Sequence, residues 1–360
     1  MEDVVGGPPL AGLRVVEFGS IGPGPHCGMM LSDMGAEVIR IDRAGGNGWP
    51  NPIMDRGRAT LTLDIRSPAD ADKAARIAER SDVLIEGMRP GVMERLGLGP
   101  DVLLERNPRL IFGRVTGWGQ DGPLARVAGH DLNYIALTGA LAAIGMEGSP
   151  PPPPLNLIGD FGGGSLYLTV GILAALWERD RSGKGQVVDA AIVDGVASMM
   201  TMFAGLLPAG RISMQRDRNI LAGAAPFYRC YECADGKHVA VGPLEPKFFA
   251  ELLSLLALPD QMAAAQYDEA QWPDITQRLT AAFLTRSRDA WVVHFDGSDA
   301  CVSPVLDLQE CAEHPHNAQR NAYVNRDGVS HAQPSPRFSR TPGRIADSID
   351  AAELLKKWEV

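Results

Sequence analysis

The sequence has little of what marks several protein classes. Its 34 Lys and Arg are outnumbered by 44 Asp and Glu, for a formal charge of -10. It therefore lacks the cationic excess that non-specific binding to nucleic acid or an anionic membrane requires. Five cysteines, an odd number scattered over 360 residues, make no disulfide framework and suit a reducing compartment. Met1 to Leu13 carries Glu2 and Asp3 where a secretory leader would be cationic, and the closing "KKWEV" is no recognised address, so a cytoplasmic location is expected. The most apolar runs, "LYLTVGILAALW" and "MMTMFAGLLPAG", stop short of the roughly 20 residues a bilayer span needs. They read as buried helices, with no membrane insertion.

What is present, 45% hydrophobic residues in 360, suffices for one large core and a smaller one. "LRVVEFGS", a glycine-rich turn, "HCGMMLSDMGA" and "EVIRID" read as strand, loop, helix and strand, the start of a parallel α/β layer. The rhythm continues through the strands "ATLTLDI" and "DVLIEGM", with a helix between them opened by Ser67 and Pro68, and through "RLIFGRVTGWG". After Gly129 a helix is expected to about Ala143, then a polyproline spacer at Pro150 to Pro154. "LNLIGD" reads as a strand ending at Asp160, followed by a long apolar helix from Phe161 to Arg181, and "QVVDAAIVDG" as a further strand. A helical connector spans about Val196 to Arg218. "FYRCYECADGKHVAVGPL" then alternates around an Asp-Gly turn, the pattern of an antiparallel hairpin. The expected layout is a large domain over 1–190, a linker over 191–220, a small α+β domain over 221–320 and a linker over 321–329.

Several motifs look stronger than they are. "GSIGPGPHCG" lies between a strand and a helix, but Gly22, Gly24 and Gly28 miss the dinucleotide spacing, and Pro23 and Pro25 remove amides that would cradle a pyrophosphate. Cys230 with Cys233, and the cluster from Cys311 to His316, each lack the second half of a metal site, so no metal is expected. Met200, Met202 and Met214 read as core filler rather than an acyl-binding surface. Arg40, Arg43, Arg66, Arg89 and Arg95 fall at or just after strand ends, where open α/β sheets bind ligands. They are either a phosphate site, for which guanidinium forks are suited, or ordinary surface charge.

His130 and Asp131 in "GHDLNY" sit at a helix start, where an acidic residue is commonplace. Asp160, just before Gly162 to Gly164, is a carboxylate that burial would push up in pKa while a helix terminus pulls it down. A histidine and a carboxylate facing one cleft make a two-base site.

The segments "GHDLNY", "PLNLIGDFGGGS", "GILAALWERDRSGKGQVVDAAIVDG", "EGMRPGVMERLGLGP" and "YECADGKHVAVGPLEPKFF" together resemble the α-methylacyl-CoA racemases of the family III CoA-transferase superfamily, through nearly the whole chain. The resemblance implies an α/β fold with a Rossmann-like large domain, completed by 330–360, and two chains interlocked as a homodimer whose active site is shared between subunits. It implies His130 and Asp160 as paired bases, Glu245 behind the histidine from the partner chain, and Asp131 and Asn156 in support. Acyl-CoA is then the substrate and no cofactor is needed. By the same resemblance the CoA contacts are Arg43, Leu63, Asp64, Ile65, Arg66, Gly87, Met88, Arg89, Arg95 and the run Gly129, His130, Asp131, Leu132, Asn133, Tyr134. Arg66 stands where lysine is expected, and Met88 where an aromatic residue is common. The implied reaction is epimerisation of 2-methylacyl-CoA thioesters by proton transfer through an enolate. The alternatives are a CoA transferase using Asp160 as nucleophile and a non-catalytic acyl-CoA binder.

Overall fold

The computed structural model describes residues 7–360. Short apolar runs punctuated by proline and glycine give, in chain order, β1 (Arg14–Phe18), α1 (Pro23–Asp33), β2 (Glu37–Asp42), β3 (Arg58–Thr62), α2 (Pro68–Glu79), β4 (Val83–Glu86), α3 (Val92–Arg95), α4 (Pro100–Arg106) and β5 (Ile111–Thr116). Next come α5 (Asp131–Ala136), α6 (Ala140–Ala143), a π-helix over Leu157–Leu166, α7 (Tyr167–Ser182), β6 (Gln186–Ala191), α8 (Ile192–Met199) and α9 (Thr201–Leu206). The rest supplies β7 (Arg229–Glu232), β8 (His238–Val241), α10 (Pro246–Leu255), α11 (Trp272–Phe283), α12 (Arg288–Phe295), β9 (Val302–Pro304), α13 (Pro315–Gln319), β10 (Tyr323–Arg326), β11 (Val329–Ala332) and α14 (Ala351–Trp358). Proline occupies the first turn of α1, α2, α4, α10 and α11, where its missing N–H costs no helical bond.

The chain forms two compact units. One comprises the described residues up to Thr138, Pro154–Met199 and Arg320–Val360; the other comprises Gly139–Pro153 and Met200–Gln319.

The first unit is built on a six-stranded parallel sheet in the order β3-β2-β1-β4-β5-β6, the doubly wound nucleotide-fold order. Alternation along each strand sorts its core into two layers. Val15, Val38, Val83, Ile85 and Ile111 are buried with Cys27 and Leu31 of α1 and with Leu168, Ile172 and Ala175 of α7. Val16, Ile39, Leu84 and Phe112 are buried in the other cluster, with Ala74 and Ile77 of α2 and with Leu354, Leu355 and Trp358 of α14. The sheet order reverses between β1 and β4, the topological switch point at which such sheets bind ligands. There the loops after these two strands approach closely: a Cβ on Gly87 would lie 3.1 Å from Ser20 Oγ.

The second unit carries the antiparallel sheet β7-β8-β9. The expected hairpin forms, with Gly236 at φ +75° in its turn. Phe227, Phe249, Trp272, Phe283 and Trp291 fill its core. Trp272 and Trp291 donate their indole N–H groups to the carbonyls of Gln266 and Phe283 at 2.9 and 2.8 Å, which removes the penalty of burying them.

Four expectations are corrected. The helix after Gly129 is two short helices, because Gly139 takes φ +84° between them. "LNLIGD" is no strand: Asp160 lies inside the π-helix, which runs straight into α7, so the helical stretch Leu157–Ser182 is 26 residues long and by length and apolarity could cross a membrane. Leu168, Ile172 and Ala175 nevertheless bury one face of it against the sheet. "QVVDAAIVDG" splits into β6 and the start of α8. Met202 is 50% exposed and α9 buries no residue, so this methionine is not core filler.

The C-terminal helix is structural. Trp358 is fully buried, and its indole N–H donates to Glu37 at 2.8 Å on β2. Trp358→Ala is expected to cost about 3–5 kcal/mol, the usual range for emptying a large aromatic site. Urea titration checks this; an unchanged midpoint would mean that α14 is dispensable to the sheet.

Candidate active site

Three elements of the first unit converge on Asp160. The π-helix presents it, and glycines explain why that helix fits: a Cβ on Gly163 would lie 2.9 Å from the Ile192 carbonyl oxygen of α8, and one on Gly164 would lie 3.1 Å from Cβ of Pro23. Such i→i+5 turns are rare and frequently mark functional sites. From α5, the carboxylate of Asp131 accepts the Asp160 backbone N–H at 2.6 Å. From the loop after β1, Gly22 approaches with φ +76°, and a Cβ there would sit 2.8 Å from Asp160 Oδ2. Only glycine meets both demands.

The Asp160 side chain is half-buried and accepts one hydrogen bond, from Asn156 Nδ2 at 3.3 Å. Burial pushes its pKa above the ordinary carboxyl value; the bond from Asn156 opposes this, the Asp131 charge adds to it, and the His130 charge opposes it. Asp131 is 8% exposed and its own pKa is raised by burial, against the pull of the Asp160 and Gly159 amides. Its Oδ1 has no hydrogen-bond partner among the described residues.

His130 is the exposed N-cap of α5. Its backbone N–H donates to Asn133 Oδ1 at 3.1 Å, and its carbonyl accepts from the amides of Asn133 and Tyr134. The imidazole is thus placed at the helix start. Tyr134 packs edge-on to Trp118 at 4.8 Å and donates its hydroxyl to the Gly129 carbonyl. Burial raises the Tyr134 pKa, the Asp160 charge adds to this, and the Arg89 guanidinium works against it, so the "GMR" turn and "GHDLNY" share one electrostatic environment.

The expected CoA contacts distribute along the carboxyl edge of the sheet. Arg43 follows β2 and donates Nε to the Gly46 carbonyl at 2.9 Å. Leu63 is buried, Ile65 packs on the core, and Arg66 is exposed and paired with Asp64 through Nε at 2.8 Å and Nη2 at 3.0 Å. Gly87, Met88 and Arg89 form the turn after β4, where the Met88 N–H donates to Glu86 at 2.7 Å. Arg114 holds Glu86 at 2.8 Å and Glu94, next to Arg95 on α3, at 2.9 Å. Leu132 and Asn133 are exposed on α5. Arg40 does not belong with this set: it is 5% exposed and ion-paired with Asp42 and Asp55 at 2.9 and 2.6 Å. Glu245 lies in the second unit, at the N-cap of α10.

Reading the sequence missed two participants. The "GPGPHCG" segment fails as a dinucleotide fingerprint, yet it supplies Gly22, the N-cap of α1, against Asp160, and it supplies His26 in the first turn of α1, whose ring stacks on Phe161 at 4.6 Å. The one available signal was the glycine run after Asp160, which announces a close neighbour without naming it. Among the described residues no group of three or more His, Cys, Asp or Glu is arranged to hold a metal ion, and all five cysteines are free.

The family model described as CoA-transferase family III matches residues 10–349. The alpha-methylacyl-CoA racemase of Mus musculus is 45% identical over 92% of this chain and 87% of its own length. That of Homo sapiens is 41% identical over the same shares. The crystal structure of a CAIB/BAIF family protein from Brucella suis superposes with a TM-score of 0.84, covering 98% of this chain and 100% of that one at 24% identity, a likeness of fold.

The raised pKa of Asp160 has a stability consequence. A carboxyl group that holds its proton more tightly when folded destabilises the native state as pH rises from the ordinary carboxyl value of 3.8 through the raised folded value, and the penalty is complete above it. Asp160→Asn removes the charge while keeping an oxygen for Asn156. The variant is expected to unfold at higher urea than the parent at pH 7.5, with the advantage vanishing below about pH 4. Equal midpoints at both pH values would mean that the carboxylate is not desolvated.

Proposed function

We propose that this chain, which belongs to CoA-transferase family III, is a racemase that interconverts (2R)- and (2S)-2-methylacyl-CoA thioesters, with His130 and Asp160 as the opposed acid and base. The observation that carries the reading is that a half-buried carboxyl group and an imidazole sit on separate elements joined through the Asp131–Asp160 bond, close enough for the imidazole's charge to act on the carboxyl. The 41–45% identity to racemases over most of the chain supports the substrate class.

Epimerising a carbon beside a thioester carbonyl takes a proton from one face and returns one to the other, through a planar enolate. The two groups must start in opposite roles. Burial, the largest influence on Asp160, favours the neutral carboxyl, so a neutral imidazole takes the α-proton while the carboxyl delivers its own to the opposite face. The reverse reaction starts from imidazolium and carboxylate, which their mutual attraction makes accessible. Asn156 and Asp131 hold Asp160 by side chain and by backbone. The backbone N–H of Asp131, at the first position of α5, is the donor assigned to the enolate oxygen.

CoA lies along the carboxyl edge of the sheet. Arg43, Arg66, Arg89 and Arg95 face its phosphates, and Leu63, Asp64, Ile65, Gly87, Met88 and the Gly129–Tyr134 run bound the remainder. The chain works as a homodimer, with Glu245 of one chain orienting His130 of the other. In support, the 166–177 face of the helical stretch leaves Leu166, Val170 and Trp177 44, 65 and 70% exposed, an apolar stripe at helical spacing that water alone covers poorly. The 330–360 tail completes the large domain, and the enzyme acts in the cytoplasm without a cofactor.

The transferase alternative needs an ionised Asp160 to attack the thioester carbonyl. Burial disfavours that ionised form, and the alternative leaves His130 without a task.

The test is incubation of one epimer of a 2-methylacyl-CoA in deuterated water, following configuration and α-deuterium together. Epimerisation with exchange is expected; transfer of CoA to an added carboxylate without exchange would establish the transferase instead. His130→Ala is expected to lose about 10²–10⁴-fold in exchange, the range for a general acid–base group, while CoA binding by titration calorimetry stays within twofold.

A further inference from the structure

The geometry points to His26 as a positioning residue for Asp160: its ring, stacked on Phe161, fixes the π-helical turn that carries the acid–base carboxyl. This inference rests on the reading of Asp160 as an acid–base group.

Phe161 directly follows Asp160, so whatever fixes its ring fixes the backbone that aims the carboxyl. The His26 ring stacks on it with centroids 4.6 Å apart and planes 28° from parallel. Its Nδ1 lies 2.7 Å from Oγ of Ser165, one π-turn further along and fully buried. One imidazole therefore touches the π-helix at Phe161 and again at Ser165, across the turn that follows Asp160.

His26 is itself anchored. It lies in the first turn of α1, and the preceding carbonyl, of Pro25, accepts from Arg58 Nη1 at 2.7 Å. The same guanidinium nitrogen is paired with Glu17 at 2.8 Å, both side chains being fully buried in the sheet. Cys27, next in sequence, receives the Thr169 hydroxyl at 3.2 Å. A continuous set of contacts thus runs from Glu17 near the end of β1 and Arg58 at the start of β3, through the α1 turn, to the residue after Asp160.

The turn needs such support. Residues Gly159, Gly162, Gly163 and Gly164 surround Asp160 and Phe161, and glycine leaves the backbone more freedom than any other residue. Within the turn, Phe161 supplies the large ring, and His26 is what it stacks on. The imidazole's protonation is not required for this role; burial, and after it the charges of Arg56 and Arg58, push its pKa below the ordinary histidine value. A phenyl ring of the same planarity keeps the stack on Phe161 and gives up only the Ser165 contact.

Three variants test this, each assayed by α-deuterium exchange and by CoA titration. His26→Ala is expected to lower kcat about tenfold with KM and CoA affinity within twofold, because the carboxyl is present but no longer aimed. His26→Phe, which keeps the stack and abolishes titration, is expected to recover kcat to within about threefold of the parent. His26→Leu keeps volume without a stacking face, guards against a collapsed alanine variant, and is expected to resemble alanine. An unchanged kcat in a folded His26→Ala or His26→Leu protein would overturn the inference, as would a phenylalanine variant no better than alanine. The underlying reading is tested separately by the parent and Asp160→Asn proteins: a parent that exchanges no α-proton, or an Asp160→Asn protein that still exchanges at the parent rate, sinks that reading whatever the His26 series does.

Discussion

The hydrogen bond from the Asp160 amide to the Asp131 carboxylate, 2.6 Å long, is the contact on which the site depends. It ties α5, whose N-cap is His130, to the π-helix, which contains Asp160, although the bonded residues are 29 apart in sequence. A hydrogen bond to a charged group contributes about 1.5–3 kcal/mol, and an unpaired buried polar atom costs about 1–3 kcal/mol. With Asp131 Oδ1 unpartnered among the described residues, these nearly cancel. The bond therefore adds little to net stability, and its effect is geometric: it sets the spacing of the imidazole-bearing and carboxyl-bearing elements.

Around that contact, the sheet acts as a frame whose rigidity is passed outward through buried ion pairs. Arg58 reaches from β3 to Glu17 on β1 and to the Pro25 carbonyl. Arg114 reaches from β5 to Glu86 on β4 and to Glu94 on α3, and Glu86 in turn holds the Met88 amide. Each pair has two tasks, joining neighbouring strands and fixing the loop that follows one of them. Buried ion pairs contribute little net stability because desolvation offsets attraction; here they determine where the loops after β1 and β4 lie, and those loops flank the switch point.

The large-scale fold was legible because its signals are local. Period-two apolar runs, proline at helix starts and the Asp-Gly hairpin turn each act over a few residues, and the parallel strands of the first unit and the β7–β8 hairpin appear where those signals stand. The excursion of Gly139–Pro153 into the second unit and the β10–β11 hairpin left no comparable mark. The site was half legible. His130 and Asp160 stood out as residues, but "LNLIGD" carries the apolar pattern of a strand, and a π-helix has no periodicity that a ten-residue window reveals. Asp131 looked like an ordinary helix-start acid, and only the fold shows its carboxylate on the Asp160 amide. His26 was invisible because its partners, Phe161 and Ser165, are more than 130 residues away.

The arginines show how strand register separates charge that is neutralised within the sheet from charge left exposed in an acidic chain. Arg40, Arg58 and Arg114 lie within strands, are at most 5% exposed, and have carboxylates at 2.6 to 2.9 Å. Their fields are neutralised at short range. Arg43, Arg89 and Arg95 fall after a strand or on the short α3 helix and are exposed, and Arg66, also exposed, pairs with the neighbouring exposed Asp64. A net charge of -10 repels a polyanion at long range, but screening limits that repulsion to about 10 Å at ordinary salt. Within that distance, the exposed Arg43, Arg89 and Arg95 give the carboxyl edge of the sheet local positive charge, which is what the proposed reading of that edge as the CoA site requires on a protein whose overall charge opposes a polyanion.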